Sequence, residues 1–467
     1  MSAISPQRQT ESAPSSQSED YLLQSEADLT RAVSYAIDRS GKLGAGEALA
    51  MVHETGGINI TVTNGAVEKA IRDGGQTLRI TIYENGRTGT ASTEALSTDA
   101  IDRAVEQALS MARQLEPDED AGLADRADLA WDTPAVPMFA PSNHSAADLV
   151  AAALELEAGA LQTANKDRVR VTDAGAASQD QRFAMATSQG FCRTGSASIQ
   201  QRWCQTIAER GGEMKQSSWM SVDRRLEGLE SSASVGRRAA ERALESLGAS
   251  ELSTRKAPVL VDATVASSLV REMCGQLMGS AQFRRMTFLP DALGQAICAE
   301  HLSVVEDPFE PFGLASTTFD NEGVAGARRD IVRQGLVAGL FLDTRMARKL
   351  SMVSTGNAGG NRNLTLASTR TEPGDHLGAM LRKLGTGLWL TRFMGGGVNP
   401  VTGAYSRAAA GFWVENGVVT GPVQGFTVAG NLQEMLKSIS AVGADVHREG
   451  AVRTGSILLP DMQIAGR

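Results

Sequence analysis

Aromatic residues are scarce in this chain, at 4% of 467 positions, and cysteine is scarcer still, with four. Cys192, Cys204, Cys274 and Cys298 form no Cys-x-x-Cys pair, so neither a zinc knuckle nor a disulfide framework is indicated, and a reducing, cytoplasmic setting is the simplest expectation. No apolar run approaches the ~20 residues that cross a bilayer, so no membrane association is expected. The opening residues lack the basic start and apolar centre of a secretory signal. Net charge is −9 and Lys/Arg never cluster densely. A nucleic-acid partner would need a basic stripe to neutralise phosphates, and none is expected here.

What the chain does have is glycine, 48 residues of it, within an apolar content of 42% and a charged content of 21%. That balance belongs to ordinary soluble globular proteins. With so few rings, the core must be built from Ala, Val, Leu and Met, and the glycines point to many tight turns between strands.

The spacing of apolar residues predicts an α+β fold, with N-terminal helix and antiparallel-sheet domains followed by a strand- and glycine-rich C-terminal domain. Residues 1–20 are Ser- and Gln-rich and read as a disordered tail. Residues 21–116 read as a first domain: a helix over about Tyr21 to Ser40, a meander, and a second helix. The meander strands "EALAMVHE", "GINITVTN", "TLRITIYENG" and "GTAST" alternate with period two, and Asn64-Gly65, Asp73-Gly74 and Asn85-Gly86 supply the turns. Residues 117–144 are acidic and Pro-bearing and read as a surface linker. Residues 145–250 repeat the plan of helix, strands and helix, with the first helix over about Ser145 to Asn165. Residues 251–467 form the last domain, where Asn431 with Glu434 three positions on matches a capping box.

Within that domain, "TVASSLVREMCGQLMGS" predicts a helix from Thr264 to Ser280. Apolar pairs recur every four residues and form one buried stripe, while Arg271, Glu272 and Gln276 share the other face. The simplest reading of that face is solvent. Gly275 and Gly279, one turn apart, cost about 1 kcal/mol each relative to Ala, so either something approaches the backbone there or the helix distorts. One substitution at each end of "REMCGQ" would make it HExxxH. Its chemistry nonetheless excludes zinc, because Arg271 is permanently cationic, Gln276 is a poor ligand and Glu272 alone cannot hold a metal.

Other candidates are weaker. His53, His144, His301, His376 and His447 are scattered, and none pairs with another His or Cys at one-turn spacing. "VHET" at His53 reads as strand and turn. A Cys–His nucleophile pair brought together only in space stays open. "STGNAGG" and "MGGGVNP" fit no phosphate-loop pattern and read as turns between strands. Gly-rich strands would let an extended peptide come close to a sheet edge.

Long stretches give the chain a resemblance to the TldD/TldE family, and within it to the TldE (PmbA) branch. They are "RRDIVRQGLVAGLFLDTRMARKLSMVSTGNAGG", "LGTGLWLTRFMGGGVNP", "VTGAYSRAAAGFWVENG", "GFTVAGNLQEMLKSI" and "GSILLPDMQIAG". In that family the TldD subunit carries zinc on HExxxH and a later Cys. The resemblance places the two His on Arg271 and Gln276, the Glu on Glu272 and the Cys on Thr454. It therefore implies a degenerate motif with no metal, no cofactor and no assured catalytic residue in this chain, and with zinc in a TldD-like partner. It further implies a heterodimer that hydrolyses unfolded peptides, in peptide maturation or turnover, and an older label as a modulator of DNA gyrase. An independently active peptide hydrolase using Glu272, or a homodimeric peptide-binding module, are the alternatives.

Overall fold

At Asn64-Gly65 and Asn85-Gly86 both residues take positive φ, 54° and 74° in the first pair and 52° and 74° in the second. That is the conformation of a two-residue hairpin turn. These turns fold β1 (Glu47–Thr63), β2 (Ala66–Glu84) and β3 (Arg87–Thr93) into an antiparallel meander. The expected turn at Asp73-Gly74 does not form. β2 runs straight through it, with Gly74 opposite Gly56 and Gly75 opposite Thr55, and neither residue of the pair adopts a left-handed backbone. β1 is likewise one strand where the alternation suggested two. It passes Gly56 directly beneath Tyr21, and a Cβ there would lie 2.1 Å from the Tyr21 carbonyl oxygen.

β1 pairs on its other side with β4 (Val169–Thr187), which continues to β5 (Cys192–Arg210) and β6 (Glu213–Asp223). The result is one six-stranded antiparallel sheet in the order β3-β2-β1-β4-β5-β6. The units 21–116 and 145–250 are thus two halves of a single sheet, each contributing helix, three strands and helix. The even-numbered β1 residues face the helices. Ala48, Ala50 and Val52 pack under α1 (Glu26–Lys42) and α2 (Thr98–Gln114), and Ile58, Ile60 and Val62 pack under α3 (Ala146–Leu161) and α4 (Ser232–Glu245). α1 starts later than the sequence suggests because Ser25 closes a capping box with Asp28. The structure is a computed structural model that describes residues 21–141, 144–163 and 168–466, so the reading of a disordered tail over 1–20 lies outside the described residues.

The opposite face of the sheet packs on the C-terminal domain. Leu49, Phe183 and Met185 meet Phe319 and Val324, and the gap is filled by Leu123, Leu129 and Met138. Residues 117–141 are therefore more than a surface linker, since Leu123, Leu129 and Met138 bury themselves in this seam while much of the segment stays exposed. Their acids are spent on it too: Asp118 pairs with Arg345 and Lys349, and Asp120 with Lys349. Phe191 takes edge-to-face contacts with Trp131 and Phe319, both at 5.5 Å between centroids.

In the C-terminal domain, strands Arg255–Val261, Gly387–Val398, Ala404–Glu415, Val418–Asn431 and Ile457–Ala465 pair in turn, and the last pairs with both the first and the fourth. The five strands thereby close into a small barrel. "MGGGVNP" is not a turn, since Met394 to Val398 belong to the second of these strands, with a register shift beside Gly395. A five-stranded sheet, including Leu302–Asp307, Arg329–Arg333 and Asn363–Ser368, lies beside the barrel.

Glu322 sits in the seam with the N-terminal sheet and accepts the Thr344 amide at 2.8 Å. Burial, with repulsion from Asp320 and Asp343, pushes its carboxyl up to about 7. Between its ordinary value of 4.5 and 7, the folded state holds a proton that the unfolded state has lost. This group's contribution therefore worsens as pH rises through that window and is most unfavourable above it. Glu322→Gln should be more stable than wild type by roughly 2–3 kcal/mol above neutrality, with the difference vanishing in acid. Urea unfolding across pH checks this, and equal curves at every pH would refute it.

Candidate functional site

The helix carrying "REMCGQ" is α5 (Ala263–Gln276), shorter than its apolar pattern suggests. Asp262 caps it, accepting from the Thr264 amide at 3.0 Å with one oxygen and from the Trp389 indole at 2.9 Å with the other. The cap thus ties α5 to the barrel. Ala266, Leu269, Val270, Met273, Cys274 and Leu277 are buried between the barrel and the five-stranded sheet. α5 ends at Gln276, and α6 (Gly279–Phe283) restarts after a break. The two glycines therefore do not share one helix. Gly279 donates its amide to the Phe341 carbonyl at 2.8 Å, and a Cβ there would lie 2.7 Å from Leu342. A Cβ on Gly275 would meet nothing within 4 Å.

Arg271 is exposed and Glu272 half-buried, but Gln276 is buried, against the expectation of a shared solvent face. Its side-chain nitrogen donates to the Glu272 carbonyl at 3.3 Å, and its side-chain oxygen is buried without a partner. Glu272 lies close enough to the barrel residue Tyr405 to influence its phenol, which is pushed up to about 12, mainly by burial, with Arg407 opposing. Thr454 is buried and donates its hydroxyl to the Gly455 carbonyl at 3.0 Å. It follows the strand Val452–Arg453, which packs on α5. The chain thus brings the segments of all four motif positions together.

No Cys–His pair emerges among the described residues. Burial pushes the Cys204 and Cys298 thiols up to about 12 and Cys274 higher still, which suppresses the thiolate a nucleophile needs. His301 is fixed between the Ser368 hydroxyl at 2.8 Å and the Ile439 carbonyl at 2.9 Å. His53 lies within β1 against the Phe183 ring.

A cleft of about 470 Å³ opens between β6 and the start of α5, with Trp219, Arg242, Val265, His447 and Glu449 among its walls. The His447 and Glu449 side chains are 3.7 Å apart, and the His447 ring lies edge-on to Trp219 at 5.7 Å. Burial holds His447 below its ordinary value; Asp262 and Glu230 oppose this, and Arg238 and Arg242 lower it further. Burial and repulsion from Glu230 push Glu449 up to about 7. His447 also donates its backbone N–H to the Thr454 carbonyl at 3.4 Å, so the cleft adjoins the motif. Sequence reading missed this cluster, because it joins β6, α4 and the 447–449 loop, and no local spacing announces it.

Over 447 residues the chain is 39% identical to a protein named metalloprotease PmbA from Escherichia coli O157:H7, covering 94% of this chain and 96% of that one. This chain belongs to the PmbA/TldD family. All three family domains match: metallopeptidase domain 1 at residues 50–112, the central domain at 139–247 and the C-terminal domain at 254–466. The fold agrees with a crystal structure of a candidate modulator of DNA gyrase from Bacteroides thetaiotaomicron, with a TM-score of 0.86 at 24% identity over 94% of this chain and 98% of that one. It also agrees with TldE from Thermococcus kodakarensis, with a TM-score of 0.82 at 20% identity over 93% and 100%.

The zinc that the sequence resemblance implies for the family can be tested against these residues. A guanidinium repels the ion, an amide and a hydroxyl are weak donors, and the Thr454 hydroxyl already serves Gly455. Among the described residues no three His, Cys, Asp or Glu side chains converge as a metal site. The residues present do not fit zinc, and no chemical step is routed through it.

The two glycines should separate in stability measurements. Gly275→Ala should raise stability by about 0.5–1 kcal/mol, the usual gain of removing a glycine from a helix where space is free. Gly279→Val should lower it by about 1–3 kcal/mol through overpacking against Leu342 and Met346. Chemical denaturation of both variants is the measurement, and equal effects would overturn the distinction.

Proposed function

We propose that this chain is a TldE/PmbA-like subunit of a heterodimeric zinc metalloprotease that hydrolyses unfolded peptides, and that the zinc resides in a TldD-like partner. The observation that carries this reading is the donor set on α5 and the loop beside it. Arg271, Gln276 and Thr454 stand where the family resemblance places metal ligands, and the helix is packed as a core element. Glu272 has no metal-bound water to activate, so its carboxylate contributes no general-base step here. The cleft at the start of α5, walled by an indole and by groups of both signs, has the character of a binding surface for a polypeptide. Purified alone, the chain should carry no stoichiometric zinc and should not hydrolyse an unstructured peptide.

The decisive measurement is turnover of an unstructured peptide by the complex reconstituted with a TldD-type partner. Glu272→Gln in this chain should leave turnover within about twofold. The matching Glu→Gln change in the partner should abolish it. A hundredfold loss from Glu272→Gln with assembly intact, about 2.7 kcal/mol of transition-state stabilisation, would instead establish an independently active hydrolase site in this chain.

A further inference from the structure

Arg362 uses little of its hydrogen-bonding capacity. It follows the turn Ser354–Gly360, and its Nη2 donates to the Gly356 carbonyl at 3.1 Å and to the Ala358 carbonyl at 3.3 Å. Its Nε is buried without a partner, and its Nη1 makes no hydrogen bond among the described residues. A guanidinium carries five N–H donors, so those on Nε and Nη1 are left over. No carboxylate pairs with it either. Burial holds the guanidinium below its ordinary value, and the acids that oppose this, Asp320 and Glu306, are committed elsewhere. Asp320 accepts the amides of Glu322, Val324 and Ala358. Glu306 accepts from Arg329, from Asn357 and from the backbone amide of Arg362. A charge withdrawn from water without an opposite charge beside it is costly.

Arg362 shares a pit with a second such cation. Arg224 is 4% exposed and donates to the carbonyls of Gly313 at 2.8 Å, Leu314 at 3.0 Å and Ser198 at 3.4 Å. Its neighbour Asp223 turns to Arg225 instead. The pit holds about 120 Å³ and lies on the face of the N-terminal sheet away from the helices, against the C-terminal domain. Part of its lining is apolar. The Phe183 and Phe319 rings meet edge to face at 5.8 Å, and Met138 and Ala197 are buried with them. The rest is polar. The side-chain amides of Gln181 and Asn321 make no hydrogen bond among the described residues, and Asn321 and His53 are exposed.

We propose that this pit receives the C-terminal residue of an extended peptide, with its carboxylate held by Arg362 and the amides of Asn321 and Gln181 and its apolar side chain set against Phe183 and Phe319. That the ligand is a peptide rests on the functional reading above, whereas the terminal carboxylate and apolar side chain follow from the pit. Leftover guanidinium donors call for an oxyanion, and the planar carboxylate matches their fork. Arg224 adds a second positive charge at short range. A bare inorganic oxyanion would leave the two rings and Met138 without a contact. An acidic side chain within a peptide would have to bring backbone to the pit from both directions. A chain end arrives from one direction only and carries carboxylate and side chain on the same residue. Few polar groups placed within an apolar lining are the usual composition of a specific pocket.

The test is fluorescence anisotropy of the isolated full chain with a short unstructured peptide that ends in leucine and bears a fluorophore at its N-terminus. The free acid should bind at least about tenfold more tightly than the same peptide with a C-terminal amide. Replacing the last leucine by glycine should weaken binding about tenfold. Arg362→Gln should erase the preference for the acid. Because that change could disturb the turn before it, Asn321→Asp serves as a second variant. Its side chain is exposed and unbonded, and it sets a like charge against the carboxylate, so it should erase the preference as well. Absence of binding by the acid overturns the proposal, as do equal affinities for acid and amide or a preference that survives both substitutions. Displacement of the peptide by millimolar inorganic phosphate would assign the pit to that ion and likewise overturn it. Neither zinc nor a second subunit enters this assay. Its failure therefore leaves the subunit reading standing, and a failure of reconstituted turnover leaves the binding result standing.

Discussion

The pairing of β1 with β4 is the constraint on which the rest of the architecture depends. It runs without a break from Leu49 opposite Thr187 to Val62 opposite Ala174. Because of it, two helix–meander–helix units cannot move as separate bodies. One side of the resulting sheet is roofed by four helices, and the other is left as a broad face that the C-terminal domain must cover. Residues 117–141 exist in this form because two surfaces that both carry large side chains rarely meet without gaps, and an irregular segment can fill what regular elements cannot.

The same pairing explains which parts of the fold were legible in the residues. Period-two alternation found the strands, and Asn-Gly found both hairpin turns, since these signals are local. Asp73-Gly74 misled because its dipeptide is a turn signal only when the chain has somewhere to turn. Here Gly56 and Gly57 on β1 lie across from it, and long-range pairing overrides the local preference. The acidic, Pro-bearing composition of 117–144 suggested solvent. Two of its acids, Asp118 and Asp120, instead meet Arg345 and Lys349, more than two hundred positions later.

At the site, the chemistry of Arg271, Gln276 and Thr454 was readable as non-ligand without coordinates, because donor identity is a property of each residue alone. Their surroundings were not. Gln276 was expected on a wet face and is buried, since α5 is enclosed by both sheets of the domain and not by one. The His447–Glu449 pair was invisible, because what shifts its titration is burial, together with Glu230 and Arg238 brought in by tertiary folding.

The closed barrel carries a consequence for how the molecule is assembled during synthesis. Val259 on its first strand lies opposite Leu459, whereas the whole N-terminal sheet is complete at Asp223. A ribosome moving along the message therefore releases one half whose strands can all pair at once, though one face of its sheet still awaits the C-terminal domain. It then releases Arg255–Val261, an apolar strand that must wait through two hundred residues of translation for a neighbour on that side. Pairings of such long range are slow and leave hydrophobic edges open meanwhile. The waiting strand, and not the finished protein, is where a holding chaperone would have most to protect.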